Sequence, residues 1–339
     1  MLVLGIESTC DETAAAIVED GYKIFSNEIA SQIDIHKKYG GVFPELASRI
    51  HIKNIIPIID LSLKNAKIKK EDIDLIAVAK GPGLIGPLLI GVNVAKALSI
   101  SLKKPFIGVN HIEAHIYAAM MENLNNLKFP ALGLIISGGH TILTKILDIG
   151  KYEKIGATTD DAIGESFDKV AKILGLEYPG GPIIEKLAKQ GDSNRYDFKA
   201  GKIKNRPFDF SFSGLKTKVL YTVKGQNSSM HNAIIIKKND KKDIAASFQR
   251  AVFEDIIKKS YIAAKNFNCK AIYIGGGVSN NQKLKDMFYE KKINIPIFFP
   301  KKDLSLDNAA MIAGLGYQKF KKRIIGDLLS LHPLSSIPL

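Results

Sequence analysis

One pattern occurs twice along this chain, and it restricts the possible folds more than any other feature. Residues 2–31 read LVLGIESTCDETAAAIVEDGYKIFSNEIAS. That is an apolar strand, a small polar turn, a second strand, a glycine turn at Gly21 and a third strand. Residues 131–159, ALGLIISGGHTILTKILDIGKYEKIGATT, repeat the order, with Gly150 at the glycine turn. Each block then passes into strand–helix pairs: DLIAVAK into GPLLIGVNVAKAL in the first, KAIYIGGGVS into NNQKLKDMF in the second. Three strands followed by alternating helix and strand, found twice, predict two related α/β domains.

The turns inside the repeat suggest a ligand. STCDET and SGGHT can each direct backbone N–H groups and hydroxyls at phosphate oxygens, and IGGGVSN at 274–280 leads toward a helix N-terminus. One such turn only reverses a chain. Three in this order resemble the actin, Hsp70 and sugar-kinase superfamily, which implies two duplicated α/β domains around a central cleft that holds a nucleotide. The expected division is residues 1–129 as an N-terminal domain and 130–339 as a C-terminal domain, whose last helices pack back on the first. GPGLIG at 81–86 fits a dinucleotide fingerprint, but no acidic residue stands about twenty positions on. Pro82 and Pro87 also remove two amides such a loop would offer. It reads as a tight strand-to-helix packing turn.

His111 and His115 in NHIEAHI are four apart, so they share a helical face and can hold one metal ion. The zinc-peptidase motif has this spacing but needs a glutamate directly after the first histidine as general base. Ile112 stands there, and Glu113 is rotated about 100° further round the helix. Without other context, such a pair reads first as two partly buried, hydrogen-bonded side chains.

Net charge is +14, from 48 Lys and Arg against 34 Asp and Glu, which permits a polyanionic partner. Only five of the basic residues are arginine, the fork that phosphate recognition more often recruits. Lysine, isoleucine and asparagine rise together, as an AT-rich coding sequence would produce. Two cysteines, Cys10 and Cys269, make neither a disulfide framework nor a Cys-based zinc site, and point to a reducing compartment. No apolar run approaches about 18 residues, so no membrane span is expected. The N-terminal segment reads as a first strand and not as a signal peptide.

GIESTCDET, GGVFPELASR, GPGLIGPLLIG, NHIEAH, ISGGHT, GESFDKVAKILGLEYPGGP, FDFSFSGLKT, GGGVSNN and LDNAAMIA together resemble the tRNA threonylcarbamoyladenosine transferase family, formerly classed as O-sialoglycoprotein endopeptidases. The match runs from Leu4 to about Gly314, and SGGHT with GGVFPELASR is similar to the bacterial branch. The resemblance implies one divalent metal per subunit, Fe2+ or Zn2+, held by His111, His115 and Asp307. Asp307 by itself would read as the N-cap of a helix through NAAMIAGLGY. A tyrosine ligand of the archaeal branch has no counterpart, because Ile135 and Ile136 precede SGG, and Ala309 stands where the family usually has glycine.

By the same resemblance the donor is threonylcarbamoyl-AMP. Ile135, Ile136, Ser137, Gly138 and Gly139 would contact its threonylcarbamoyl end, and Asp168, Gly181, Glu185 and Asn281 its adenylate. Glu185 replaces the aspartate common at its position. Carboxylates suit ribose hydroxyls because each can accept two hydrogen bonds, whereas Asp168 alone would read as paired with Lys172. Asp11 and Glu12 are the carboxylates best placed to accept a proton from the attacking amine. The implied acceptor is adenosine 37 of tRNAs reading codons that start with A. Implied partners are a smaller paralogue of the N-terminal half and a small P-loop ATPase, in the cytoplasm. The alternatives are a kinase or ATPase of the same fold, or a metallopeptidase. KGQNSSMHNAIIIKKNDKK at 224–242 reads as a polar loop insertion without an assigned role.

The missing base yields a direct test. The purified protein should release no peptides from a glycoprotein, with or without zinc, and Ile112→Glu should not create that activity. Peptide release by the unsubstituted protein would contradict the reading.

Overall fold

The computed structural model describes residues 1–237 and 239–339; Lys238, within the 224–242 insertion, lies outside the described residues. The chain divides into two units. The first comprises Met1–Leu127, Ile149–Lys151 and Pro300–Leu339, and the second Lys128–Asp148 and Tyr152–Phe299.

In the first unit, β1 (Leu2–Glu7) pairs antiparallel with β2 (Glu12–Glu19), which pairs antiparallel with β3 (Lys23–Ser31). On its other side β1 runs parallel to β4 (Leu75–Gly81), and β4 to β5 (Phe106–Asn110), giving the order β3-β2-β1-β4-β5. The central strands are near-continuous apolar runs because both faces of the sheet are covered. A short α1 (Ile33–Lys37) precedes α2 (Pro44–Ala66), whose buried Ala47, His51, Ile55, Ile58, Ile59, Ser62 and Ala66 recur at helical spacing and pack on β2 and β3.

Helix α3 (Ile85–Leu102) corrects one expectation. Its 18 residues, with a mean hydropathy of 1.6, are long and apolar enough to cross a membrane by length and composition. Asn93 and Lys96 interrupt the run, so no unbroken apolar stretch in the sequence reaches that length. Its Pro87, Leu88, Gly91, Val92 and Ala95 are buried, and the helix packs on β4 and α2. The GPGLIG turn before it is a packing turn: the Leu84 N–H goes to Thr9 O (2.8 Å) and the Gly83 N–H to Ser335 O (3.2 Å). Helix α4 (His111–Met120) follows β5 without a linker, and every residue in it is buried.

The second unit repeats the plan. Strands β6 (Ala131–Ile136), β7 (Thr141–Asp148), β8 (Lys151–Ala157), β9 (Ile272–Gly275) and β10 (Ile297–Phe298) form a sheet of order β10-β9-β6-β7-β8. Reading β6 for β1, the neighbours correspond strand by strand, with β6–β7 antiparallel and β6–β9 parallel. Helices α5 (Ile163–Ile173), α6 (Gly180–Ala188), α7 (Ser213–Lys224) and α8 (Asp240–Asn266) surround a core in which Phe167 meets Phe248 edge to face at 5.0 Å. The last residues of the 224–242 stretch belong to α8, and Ile236 packs on this core, so the insertion is anchored at its far end. Helix α9 (Gln282–Glu290) follows β9.

The chain then returns to the first unit through α10 (Lys302–Ser305) and α11 (Ala309–Arg323), which lies on β1, β2 and β4. Gly5 permits this contact: a Cβ there would stand 2.2 Å from Ala309 O and 2.9 Å from Ala313 N. Both are backbone atoms, so the helix itself would have to shift. Gly5→Ala should therefore lower stability by about 1–3 kcal/mol in chemical denaturation. A midpoint equal to that of the unsubstituted protein would mean that α11 moves without cost.

Candidate functional site

Helix α4 is positioned by its cap. Asn110, the last residue of β5, accepts hydrogen bonds at its side-chain oxygen from Ile112 N (2.9 Å) and Glu113 N (3.2 Å), and its amide donates to Pro338 O (3.1 Å). His111 therefore opens the helix, and His115 follows one turn later on the same face. Their rings meet edge to face, 4.6 Å between centroids. Asp307 completes the group. Its Oδ1 lies 3.5 Å from His111 Nε2 and 3.1 Å from His115 Nε2. The structure corrects one reading of this residue: Asn308, not Asp307, caps α11, accepting from Met311 N (3.0 Å).

Three features fit this group to a cation. One donor atom from each of His111, His115 and Asp307 lies within 4.8 Å of the others. His115 is buried, its Nδ1 has no hydrogen-bond partner among the described residues, and its Nε2 has only the Asp307 contact. A buried imidazole left this way is costly unless something else takes its lone pair. Two imidazoles and a carboxylate also form a donor set that suits a divalent metal. Burial disfavours a charged His111, but Glu7 and Asp307 outweigh it and hold its pKa well above the ordinary value. Burial likewise opposes a charged Asp307, and His111 with His115 keeps that carboxyl well below the usual range. Glu113 is buried and ion-paired with Lys319, so it serves the fold as a paired charge.

The turn after β1 carries Asp11 and Glu12 close to the triad. Asp11 is buried, and Glu12 is half-buried, with Oε1 accepting from Ser31 Oγ (3.3 Å). Burial, then the charges of Asp307 and Asp11, push Glu12 well above the usual carboxylate range. The Cys10 thiol of the same turn is pushed up by burial and by the charges of Asp11 and Asp307. His51 of α2 holds the turn from beneath: its Nε2 donates to Cys10 O (3.0 Å) while Nδ1 accepts from Thr13 Oγ1 (2.8 Å). Burial lowers the His51 pKa, so the ring is neutral with its proton on the nitrogen that faces the carbonyl.

The remaining predicted residues lie in the second unit. Ile135 and Ile136 have wholly buried side chains in β6, which leaves the Ser137–Gly139 turn as the accessible part of IISGG. The carbonyls of that turn are tied to the start of α5, Gly164 N to Ser137 O and Glu165 N to Gly138 O, both 3.1 Å. No heavy atom lies within 4 Å of where a Cβ would stand on Gly138, Gly139 or Gly181. Asp168 accepts from Gly180 N (2.7 Å) at the first residue of α6, and no ion pair joins it to Lys172 among the described residues. Burial raises the Asp168 pKa against the lowering effect of the Gly180 and Gly181 amides. Further along α6, Glu185 accepts from Gln282 N (3.0 Å) at the start of α9. Asn281 caps that helix through Leu284 N (3.2 Å) and donates to Gln249 Oε1 (3.0 Å). Asp168, Gly181, Glu185 and Asn281 thus form one chain of contacts along two helix N-termini.

Sequence reasoning passed over Glu7, Asn110, His51 and Gln249. Asn110 carried a readable signal, a capping residue directly before the histidine motif. Glu7 carried a weaker one, a carboxylate closing an otherwise apolar strand. His51 and Gln249 only interrupt apolar helix stripes.

Residues 23–314 match the family model described as tRNA N6-adenosine threonylcarbamoyltransferase. A protein of that name from Protochlamydia amoebophila (strain UWE25) is 57% identical over 339 residues, covering 100% of this chain and 98% of the relative. One from Chlamydia pneumoniae is 52% identical over 323 residues, covering 95% and 92%. Among solved structures, the chain is similar to HypF of T. kodakarensis, with a TM-score of 0.62, 15% identity, and 95% of this chain and 48% of that one covered. It is also similar to component A of (R)-2-hydroxyglutaryl-CoA dehydratase from Acidaminococcus fermentans, with a TM-score of 0.52, 15% identity, and coverage of 94% and 98%. Likeness at that identity shows the fold, and the fold is the expected actin-like pair of α/β domains.

If the three donors serve one ion, their losses should not add. His111→Ala, His115→Ala and Asp307→Ala should each bring bound metal below one per chain in elemental analysis, with the circular dichroism spectrum retained. A double-histidine variant with full metal content would refute the assignment.

Proposed function

This chain belongs to the tRNA N6-adenosine threonylcarbamoyltransferase family, and on that premise we propose that it moves a threonylcarbamoyl group from threonylcarbamoyl-AMP to the exocyclic amine of adenosine 37 in tRNAs reading codons that start with A. The chemistry is supported by three donors able to hold a metal, His111, His115 and Asp307, and by the charge of Asp307 acting on Glu12, a carboxyl whose proton affinity is raised. Ile112 is buried and Glu113 is ion-paired, so neither supplies the base of a peptidase.

The acceptor is a weak nucleophile, so the donor must be activated and a proton removed. The amine nitrogen forms a bond to the carbamoyl carbon, the bond from that carbon to the phosphate oxygen breaks, and AMP leaves with the electron pair. The amine proton passes to Glu12 or Asp11, and burial with the charges of Asp307 and Asp11 raises the proton affinity of Glu12. A divalent cation held by His111, His115 and Asp307, iron by resemblance with zinc as the other fit, would polarise the carbonyl as a Lewis acid. Asp168 and Glu185 each accept one backbone N–H and keep further lone pairs for ribose hydroxyls. The open Ser137–Gly139 turn would receive the threonylcarbamoyl end, its bare backbone allowing close approach.

With a net charge of +14 but few arginines, tRNA would be held mainly by diffuse, lysine-based, salt-sensitive contact. By family resemblance the working assembly in the cytoplasm would include a smaller paralogue and a small P-loop ATPase.

Reconstitution with tRNA and threonylcarbamoyl-AMP, followed by nucleoside analysis, tests the reading. The modified adenosine should form, and Glu12→Gln should lower kcat by about 10²–10⁴-fold with little change in KM for the donor. Failure of the assembled system to modify tRNA would overturn the function. An unchanged kcat in Glu12→Gln would leave Asp11 as the base.

A further inference from the structure

Glu7 ends β1 and has no exposed surface. A carboxylate buried to this degree is tolerated only where both oxygens are served. One takes the Thr9 N–H at 2.6 Å, and the other lies 2.8 Å from His111 Nδ1. The Thr9 hydroxyl is also near Nδ1, but at 3.4 Å. A carboxylate can only accept, so the ring proton facing Glu7 belongs on Nδ1, and Nε2, whose proton faces Asp307 in the metal-free protein, is the atom left to a cation that displaces that proton. His115 has no such support, since its Nδ1 is buried without a partner among the described residues.

We propose that Glu7 is a positioning residue of the metal site: it locks His111 with Nδ1 protonated and presents Nε2 as the preformed ligand, while no such partner fixes the Nδ1 of His115. The proposal rests on assigning the site to His111, His115 and Asp307. The two ligands then differ in kind, one prepared by β1 and one without such support. The same contact ties the site to the strand that leads into the Asp11–Glu12 turn, through the Thr9 amide.

Glu7→Gln probes this sharply. A glutamine has one acceptor oxygen for two donors, so its amide NH2 must face either Thr9 N–H or His111 Nδ1. Facing the ring, it would favour a proton on Nε2 and block the ligand atom. Zn2+ affinity, read by competition with a chromophoric chelator, should fall about 10–100-fold in Glu7→Gln. In the Zn2+-loaded unsubstituted protein with 15N-labelled histidine, ring correlations should show His111 bound through Nε2 and protonated at Nδ1. Zn2+ affinity in Glu7→Gln equal to that of the unsubstituted protein would overturn the proposal, as would His111 ligation through Nδ1. If Glu7→Gln fails to fold, the ring correlations of the unsubstituted protein decide alone. Asp307→Ala separates the two layers. Unchanged Zn2+ affinity in that variant would overturn the site itself, whereas a loss there with none in Glu7→Gln would overturn only the role of Glu7.

Discussion

Helix α11 approaches β1 closely because Gly5 offers no side chain there, and the meeting of the three candidate metal donors depends on that contact. Asp307 stands just before α11, which is anchored through the Asn308 cap and a hydrogen bond from Ala310 N to Asn27 Oδ1 (3.2 Å). The histidines enter from the opposite end of the sheet order, where β5 turns directly into α4. Three donors from two distant parts of the chain therefore meet only because the helix sits at backbone distance from the first strand. A shift of even an ångström there would move one ligand relative to the other two.

Electrostatics explains why the group tolerates burial. Glu7, His111 and Asp307 form a line of alternating acceptor and donor in which each charge offsets the desolvation of the next. His115 reaches that line only through its Nε2 contact with Asp307, and its buried Nδ1 has no hydrogen-bond partner among the described residues. Sites that must bind a ligand often hold such a deficit, since binding then removes it. Glu12 carries a related tension: it lies near Asp307 and Asp11, and its raised proton affinity follows from that company as well as from burial.

In the second unit the same economy takes another form. Asp168, Glu185 and Asn281 each hold a helix N-terminus in place. A carboxylate that accepts one amide N–H is fixed in direction and still has lone pairs to offer, which is how a recognition group can be rigid before its ligand arrives. The Ser137–Gly139 turn is fixed in the same way, through its carbonyls.

Much of this was legible in order along the chain. The doubled pattern of three strands and the alternating elements after it required two like α/β units, because apolar period and turn residues are local properties. The i, i+4 spacing of His111 and His115 likewise placed both rings on one face. The Asp307 cap was misread because Asp307 and Asn308 are adjacent capping residues, and only the helix geometry chooses between them. Helix α3 escapes a search for unbroken apolar runs because Asn93 and Lys96 interrupt it, and the helix bounds join the pieces into one apolar element. Glu7 and His51 lay beyond sequence reasoning. Each acts across a gap in the chain, on His111 and on the Cys10 carbonyl, and sequence carries no direct record of such contacts. The sequence by itself determined the elements, their duplication and the residue types able to bind a metal. The packing of α11 on β1 and of α2 beneath the first turn decided which donors meet, because hydrogen-bond and ligand geometry depend on distances that exist only after the chain has closed on itself.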